Sequence, residues 1–316
     1  MFLAAMLAAM PLVGSSRIDF GRALAGLSPD REILVHARLS RVLLAALAGG
    51  ALALAGVIFQ ALLRDALATP FTLGVSSGAS LGAVTAICFG WQTIGGFPAL
   101  WVFSFAGAAL TMLLVMWIAA EGRRLSSFTL LLAGVTINSM CMALILFLHY
   151  TASLGQSFAI VRWLMGGVDA VEYSTLGVVA AGVLPAVAAA MTQTKSLNLL
   201  AVGEQWAASR GVGVSSTMVT AYLLGSFLTG VVTAMTGPIG FVGLIVPHGL
   251  RLAVGADHRV LAACSFLVGA GFLAGCDTLA RTLLAPAEIP VGVVTALVGG
   301  PCFIALLRRR RPALWG

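Results

Sequence analysis

Long apolar segments recur along the whole chain, and they constrain its fold more than any other feature. Ten can be drawn, at approximately 1–14, 42–63, 71–90, 98–120, 128–150, 174–193, 214–236, 239–254, 260–284 and 289–307. Most come close to the ~20 residues that carry a helix across a ~30 Å hydrocarbon layer. Of the 316 residues 60% are hydrophobic and 9% charged, whereas about 25% are charged in a soluble domain. No water-soluble globule of this length could bury so much apolar surface, so lipid is the solvent for most of the chain. In lipid the backbone polar groups must bond within each segment, which makes the segments helices. The expected fold is all-α: a polytopic membrane protein with about ten transmembrane helices in one domain over residues 1–316. Segment 1–14 has no charged leader and covers about 21 Å. It is expected as a short first span, or one whose beginning is missing.

The net charge is +7 from 18 basic residues, of which Lys195 is the sole lysine. These residues form no stripe and there is no room for a soluble binding domain, so a nucleic-acid partner is excluded. The run Arg308–Arg311 follows an apolar segment directly, as a cytoplasmic flank does. Ten spans then place both termini, and the loops holding Arg123, Arg124, Lys195, Arg210 and Arg259, in the cytoplasm. The stretch from Arg17 to Arg41 disobeys this rule, with Arg22, Arg31 and Arg38 also outside. Two readings stand side by side: the topology is wrong or a long hydrophilic stretch simply tolerates the charge, or outward arginines meet an acidic partner.

Several chemistries find no support. Cys88, Cys141, Cys264, Cys276 and Cys302 lie singly in apolar runs with no CxxC pair. His36, His149, His248 and His258 are far apart in sequence. Lys195 precedes Ser196, but without the glycines of a phosphate-binding loop, so ATP is not expected to bind this chain in that way. Asp277 is the exception among scarce intramembrane charges, and Arg281 four residues later shares its helix face and can pair with it. Few buried carboxylates argue against an ion-coupled secondary transporter, which is kept as the alternative class.

The segment from Leu197 to Gly213 is too short and polar to span. It reads as an amphipathic helix on the cytoplasmic surface, started by Ser196 or Asn198 and ended by Gly211. An ordinary interhelical loop is the plainer reading. Gly78 and Gly82 give a small-xxx-small spacing for close helix packing. A weak inverted echo relates 56–74 to 230–243.

Several ordered motifs together resemble one family: Arg38-Leu-Ser-Arg41 leading into the run 50–63, Leu67-Ala-Thr-Pro-Phe-Thr-Leu-Gly74, Leu130-Leu-Leu-Ala-Gly-Val135, Gly237-Pro-Ile-Gly-Phe-Val-Gly-Leu-Ile-Val-Pro-His248, Asp257-His-Arg259, and Pro286-Ala-Glu-Ile-Pro-Val-Gly292 with Gly299-Gly-Pro301. They are similar to the FecCD-type permeases, the type II ABC importers for iron-siderophores, hemin and cobalamin. The resemblance implies a homodimer in the bacterial inner membrane, two cytoplasmic ATPase subunits that hold ATP and Mg, and a periplasmic binding protein. This chain would bind no cofactor and no metal, and would not be an enzyme. Arg38, Arg41 and Arg281 match the arginines that receive the binding protein, with Ser40 where the family commonly has proline. Gly203, Glu204, Arg210 and Gly211 fall in the segment that couples to the ATPase, about 196–213. Asp65, Leu67, Ser127 and Phe128 match the cytoplasmic gate, with Asp65 replacing the usual asparagine. The fifth and tenth helices would line the path through Asn138, Met142, Thr295 and Val298. The sequence around Arg281–Pro290 looks more like hemin and siderophore permeases than cobalamin ones, and hemin is the expected substrate. His149 and Tyr150 are read first as helix-end residues and second as heme ligands.

Overall fold

A computed structural model describes residues 9–14, 18–121 and 124–310. Nine of the ten apolar segments appear as helices. The first segment lies mostly outside the described residues, and 10–12 form a single 3-10 turn, Met10–Leu12. A short helix α1 (Phe20–Leu24) follows, capped by the Asp19 carboxylate, which accepts from Gly21 N at 2.8 Å.

The centre of the fold is α2 (Asp30–Leu63), a 34-residue helix. It begins twelve residues before the apolar run at 42 because its first turns are polar. Between Ile33 and Leu39 it is π-helical. A widened turn frees backbone carbonyls, and here two of them find hydroxyl donors: Tyr173 bonds Val35 O and Ser40 bonds His36 O, each at 2.6 Å. From Val42 to Leu62 almost every α2 side chain is buried. An α-helix buried all round must be apolar all round, which is how 42–63 reads.

The remaining helices are α3 (Val75–Phe89), α4 (Ala99–Ala119), α5 (Ser127–Thr151), α6 (Leu154–Leu164), α7 (Tyr173–Thr192), α8 (Thr194–Val202), α9 (Glu204–Ser209), α10 (Val214–Thr236), α11 (Val242–Val254), α12 (His258–Thr282) and α13 (Val291–Arg310). Two-residue hairpins join α3 to α4 and α4 to α5. By length and hydropathy, six helices among the described residues can cross a membrane: α2, α4, α5, α7, α10 and α12. Shorter apolar helices are α3, α11 and most of α13.

α2 packs against α12, α10, α11 and α7. Glycines set these crossings. A Cβ on Gly56 would fall on the carbonyl oxygen of Gly243 in α11, and one on Gly49 would meet that of Gly269 in α12. Between α3 and α4 the expected pair Gly78 and Gly82 does the same: their added Cβ atoms would strike Thr111 and the Phe103 carbonyl. Without a hydrophobic effect between helices in lipid, close backbone approach supplies the packing.

Two elements differ from the sequence reading. The helix expected over 197–213 is two helices, α8 and α9, because the backbone at Gly203 extends and interrupts the ladder. Asn198 does not cap α8, since it lies in the helix interior. Gly211 does end α9, at φ 80°, with Val212 N bonded to Ala207 O at 3.1 Å. Helix α6 was not expected. Its start is fixed by Ser153 and Gln156, which cap each other's backbone N–H groups.

Candidate functional site

Functional candidates gather around Arg41, a third of the way along α2, and around Arg64 just past its end, about 34 Å apart along the helix axis. The first is an arginine cluster. Arg41 directs Nε and Nη2 to Asp277 Oδ1, 3.0 Å each, and Nη1 to Glu288 Oε2 at 2.8 Å. Arg281 Nε stands 3.3 Å from Asp277 Oδ2. This is an ion pair without hydrogen-bond alignment. Its Nη2 donates to Thr278 Oγ1 at 3.2 Å. The pairing expected from the i, i+4 spacing is therefore present, and Arg41 joins it from another helix. Arg38 donates Nη1 to the carbonyls of Pro11 and Leu12, both at 3.3 Å. Gly14 leaves room for its guanidinium.

Burial ranks these arginines. Arg38 and Arg281 are 5% and 3% exposed and face into the bundle. Arg41 keeps 14% of its side chain exposed, and Glu288 45%. Buried charges persist where they are paired, so Asp277, fully buried, is the anion that permits two guanidiniums here.

At the opposite end the segment 194–213 meets the turn after α2 and the start of α5. The Glu204 carboxylate lies 3.0 Å from Arg64 Nη2 and 3.5 Å from Ser127 Oγ. Ser127 Oγ also donates to Leu62 O at 3.1 Å, one of the carbonyls left open at the end of α2. Arg64 closes α2 in the left-handed region at φ 52°, a conformation uncommon outside glycine. The sequence placed Glu204 and Ser127 in separate groups, and the fold joins them.

The other candidates at this end are turn and surface residues. Asp65 Oδ1 accepts from Leu67 N at 2.9 Å. An asparagine oxygen would accept the same bond, so the aspartate keeps this turn. Leu67 and Phe128 are exposed, Phe128 by 75%. Among the described residues nothing lies within 4 Å of a Cβ at Gly203 or Gly211, and both glycines hold a positive φ that side chains rarely adopt. Arg210 stacks over Trp206 at 4.7 Å. Asn198 bridges to the next turn, giving Nδ2 to Asp257 Oδ1 at 2.7 Å and accepting from His258 N at 2.8 Å. The Arg259 N–H and then Asn198 hold the Asp257 carboxyl below its ordinary range.

Of the residues expected along a path, Met142 and Val298 are exposed and Asn138 is half-buried. Thr295 is not on that surface. It is fully buried, with its hydroxyl donating to Gly292 O at 3.0 Å. His149 bonds Ser157 at 2.6 Å, which fits the helix-end reading, and Tyr150 is exposed. Among the described residues no cluster of three His, Cys, Asp or Glu side chains is placed to hold a metal ion.

Sequence reasoning missed Glu288, Arg64 and the Asn198–His258 contact. Glu288 carried a signal: it is one of only 11 acidic residues and stands just before a proline-led helix.

Comparison with known proteins resolves what this arrangement belongs to. The sequence matches the FecCD transport family over residues 1–309. The chain belongs to that family. The hemin transport system permease protein HmuU of Yersinia pestis is 40% identical over 282 residues, covering 89% of this chain and 84% of the relative. The vitamin B12 import system permease protein BtuC of Klebsiella pneumoniae is 39% identical over 274 residues, 87% and 82% of the two chains. Among solved structures, an inward-facing conformation of an ABC transporter of proposed metal-chelate type superposes with a TM-score of 0.84 at 31% identity, covering 97% of each chain. The chain is thus an ABC importer permease, with ATP hydrolysis on a separate subunit.

Proposed function

We propose that the chain forms, as a homodimer in a bacterial inner membrane, the pathway by which an iron chelate, hemin first among them, passes from a binding protein into the cytoplasm. The carrying observation is Glu204. It lies on the segment expected to meet the ATPase and contacts the ends of both α2 and α5 through Arg64 and Ser127. A push on α9 therefore reaches two membrane helices directly, and rigid elements with discrete arrangements convert such a push into movement. In this reading Asp65, Leu67, Ser127 and Phe128 form the cytoplasmic gate, and both termini lie on that side. The path follows the exposed faces of α5 and α13, with Met142, Val298 and Asn138 along it. Their weakly polar character suits a large chelate that must leave as readily as it enters.

At the other end the cluster of Arg38, Arg41 and Arg281 receives the binding protein, with Arg41 the presented member. Arginine's planar fork suits a carboxylate partner. Support for hemin comes from the similarity to a hemin permease and from the residues 280–290. The 39% likeness to a vitamin B12 permease supports cobalamin as the second reading. Purifying the cognate binding protein and titrating it with hemin, a ferric siderophore and cobalamin tests the choice. Tight hemin binding supports the proposal, and tight cobalamin binding without hemin overturns it.

A further inference from the structure

Arg41 is held by two carboxylates of unlike exposure. Asp277 is fully buried and takes Nε and Nη2, whereas Glu288, 45% exposed, takes Nη1 at 2.8 Å. A carboxylate that keeps much of its water gives up little on leaving, so the inner pair is fixed and the outer one exchangeable. The cluster holds three guanidiniums, Arg38, Arg41 and Arg281, against two carboxylates. Its net positive charge favours an incoming anion. A cavity of about 640 Å³ opens beside the Arg41–Glu288 pair, lined in part by Arg162, Trp163, Ile289 and Pro290. That is ample room for a side chain from outside.

Glu288 also stands at a mechanical position. The next residue, Ile289, donates its N–H to Ala280 O at 3.0 Å, and Gly292 N donates to Gly166 O at 3.2 Å as α13 begins. The Glu288–Arg41 contact therefore pins the lead-in of α13 to α2.

We infer that Glu288 is an internal placeholder, occupying the face of Arg41 that a carboxylate of a docking protein takes. Docking exchanges one carboxylate for the other and frees the lead-in to α13. This rests on the docking reading above and adds the residue that competes with the partner. The substrate-free cognate binding protein serves as the probe. Its affinity is measured by surface-based binding to the permease–ATPase complex in nanodiscs, for wild type, Glu288→Gln, Glu288→Asp and Arg41→Gln. Glu288→Gln binds about 10-fold tighter, Glu288→Asp stays near wild type, and Arg41→Gln binds at least about 10-fold weaker. Unchanged affinity in Glu288→Gln with a loss in Arg41→Gln leaves docking standing and overturns the placeholder. Unchanged affinity in both overturns the docking reading as well. If neither Glu288 variant yields a monodisperse complex, Glu288 is a structural brace and the inference falls.

Discussion

Glu204 and Ser127, 77 residues apart in the chain, meet at one end of the bundle with 3.5 Å between carboxylate and hydroxyl. Ser127 has one proton and two acceptors in reach, Leu62 O at 3.1 Å and Glu204 Oε1. The hydroxyl thus ties α5 to α2 in one orientation and to the coupling segment in the other. Glu204→Gln keeps the shape but removes the charge that holds Arg64. The expected result is a fall of several-fold in substrate moved per ATP hydrolysed in proteoliposomes, with hydrolysis retained. An unchanged ratio would oppose the role given to Glu204.

Gly203 makes the complementary case. Among the described residues no atom lies near a Cβ placed there, but the backbone at φ 158° is one that side chains rarely adopt, so any substitution at Gly203 strains the permease itself and Gly203→Trp is read against Gly203→Ala. The indole then stands on the surface proposed to meet the ATPase. The melting temperature should fall alike in Gly203→Trp and Gly203→Ala, while ATP-driven uptake drops at least about tenfold only in the tryptophan variant. A tryptophan variant that transports as well as Gly203→Ala would show that this surface is not the contact.

Asp277 holds two arginines, so its neutralisation is costly inside the bundle. Asp277→Asn leaves Arg41 and Arg281 short of a buried counter-charge, a loss of about 3–5 kcal/mol for a broken buried pair. Thermal unfolding in detergent should show a large drop in midpoint. Glu288→Gln, acting at the exposed side of the same arginine, should shift it far less.

Packing at the core gives a further check. A Cβ on Gly56 meets the Gly243 carbonyl, which is backbone and cannot rotate away. Gly56→Ala should destabilise by about 1–3 kcal/mol, as overpacking does. Gly155→Ala meets nothing and should be close to neutral. Folded yield and unfolding midpoint of the two variants decide it.

Much of this architecture is legible in the sequence because lipid imposes simple rules. Apolar length gave the spanning part of the helices from 42 to 307 within a few residues, and glycine spacing marked α3 for close packing without naming α4 as its partner. Motif resemblance singled out Arg41 and Arg281, which the fold gathers around Asp277, and the segment 196–213, which the fold brings to the end of α2. What escaped was of two kinds. Polar lead-ins such as 30–41, and the amphipathic α6, carry little hydropathy and so leave no trace in an apolar scan. Long-range partners such as Glu288 with Arg41, or Asn198 with His258, depend on which helix ends meet, and no local pattern encodes that. Thr295 illustrates the limit within a helix: its position on α13 is evident, but the face it takes follows from packing.

The central claim is that this chain moves its substrate only when a separate ATPase drives it. Radiolabelled hemin uptake into proteoliposomes tests it most directly, with the permease alone or with its ATPase and binding protein, each with and without ATP and with and without an imposed proton gradient. Uptake is expected only when all three proteins and ATP are present, with no response to the gradient. Gradient-driven uptake by the permease alone would contradict it.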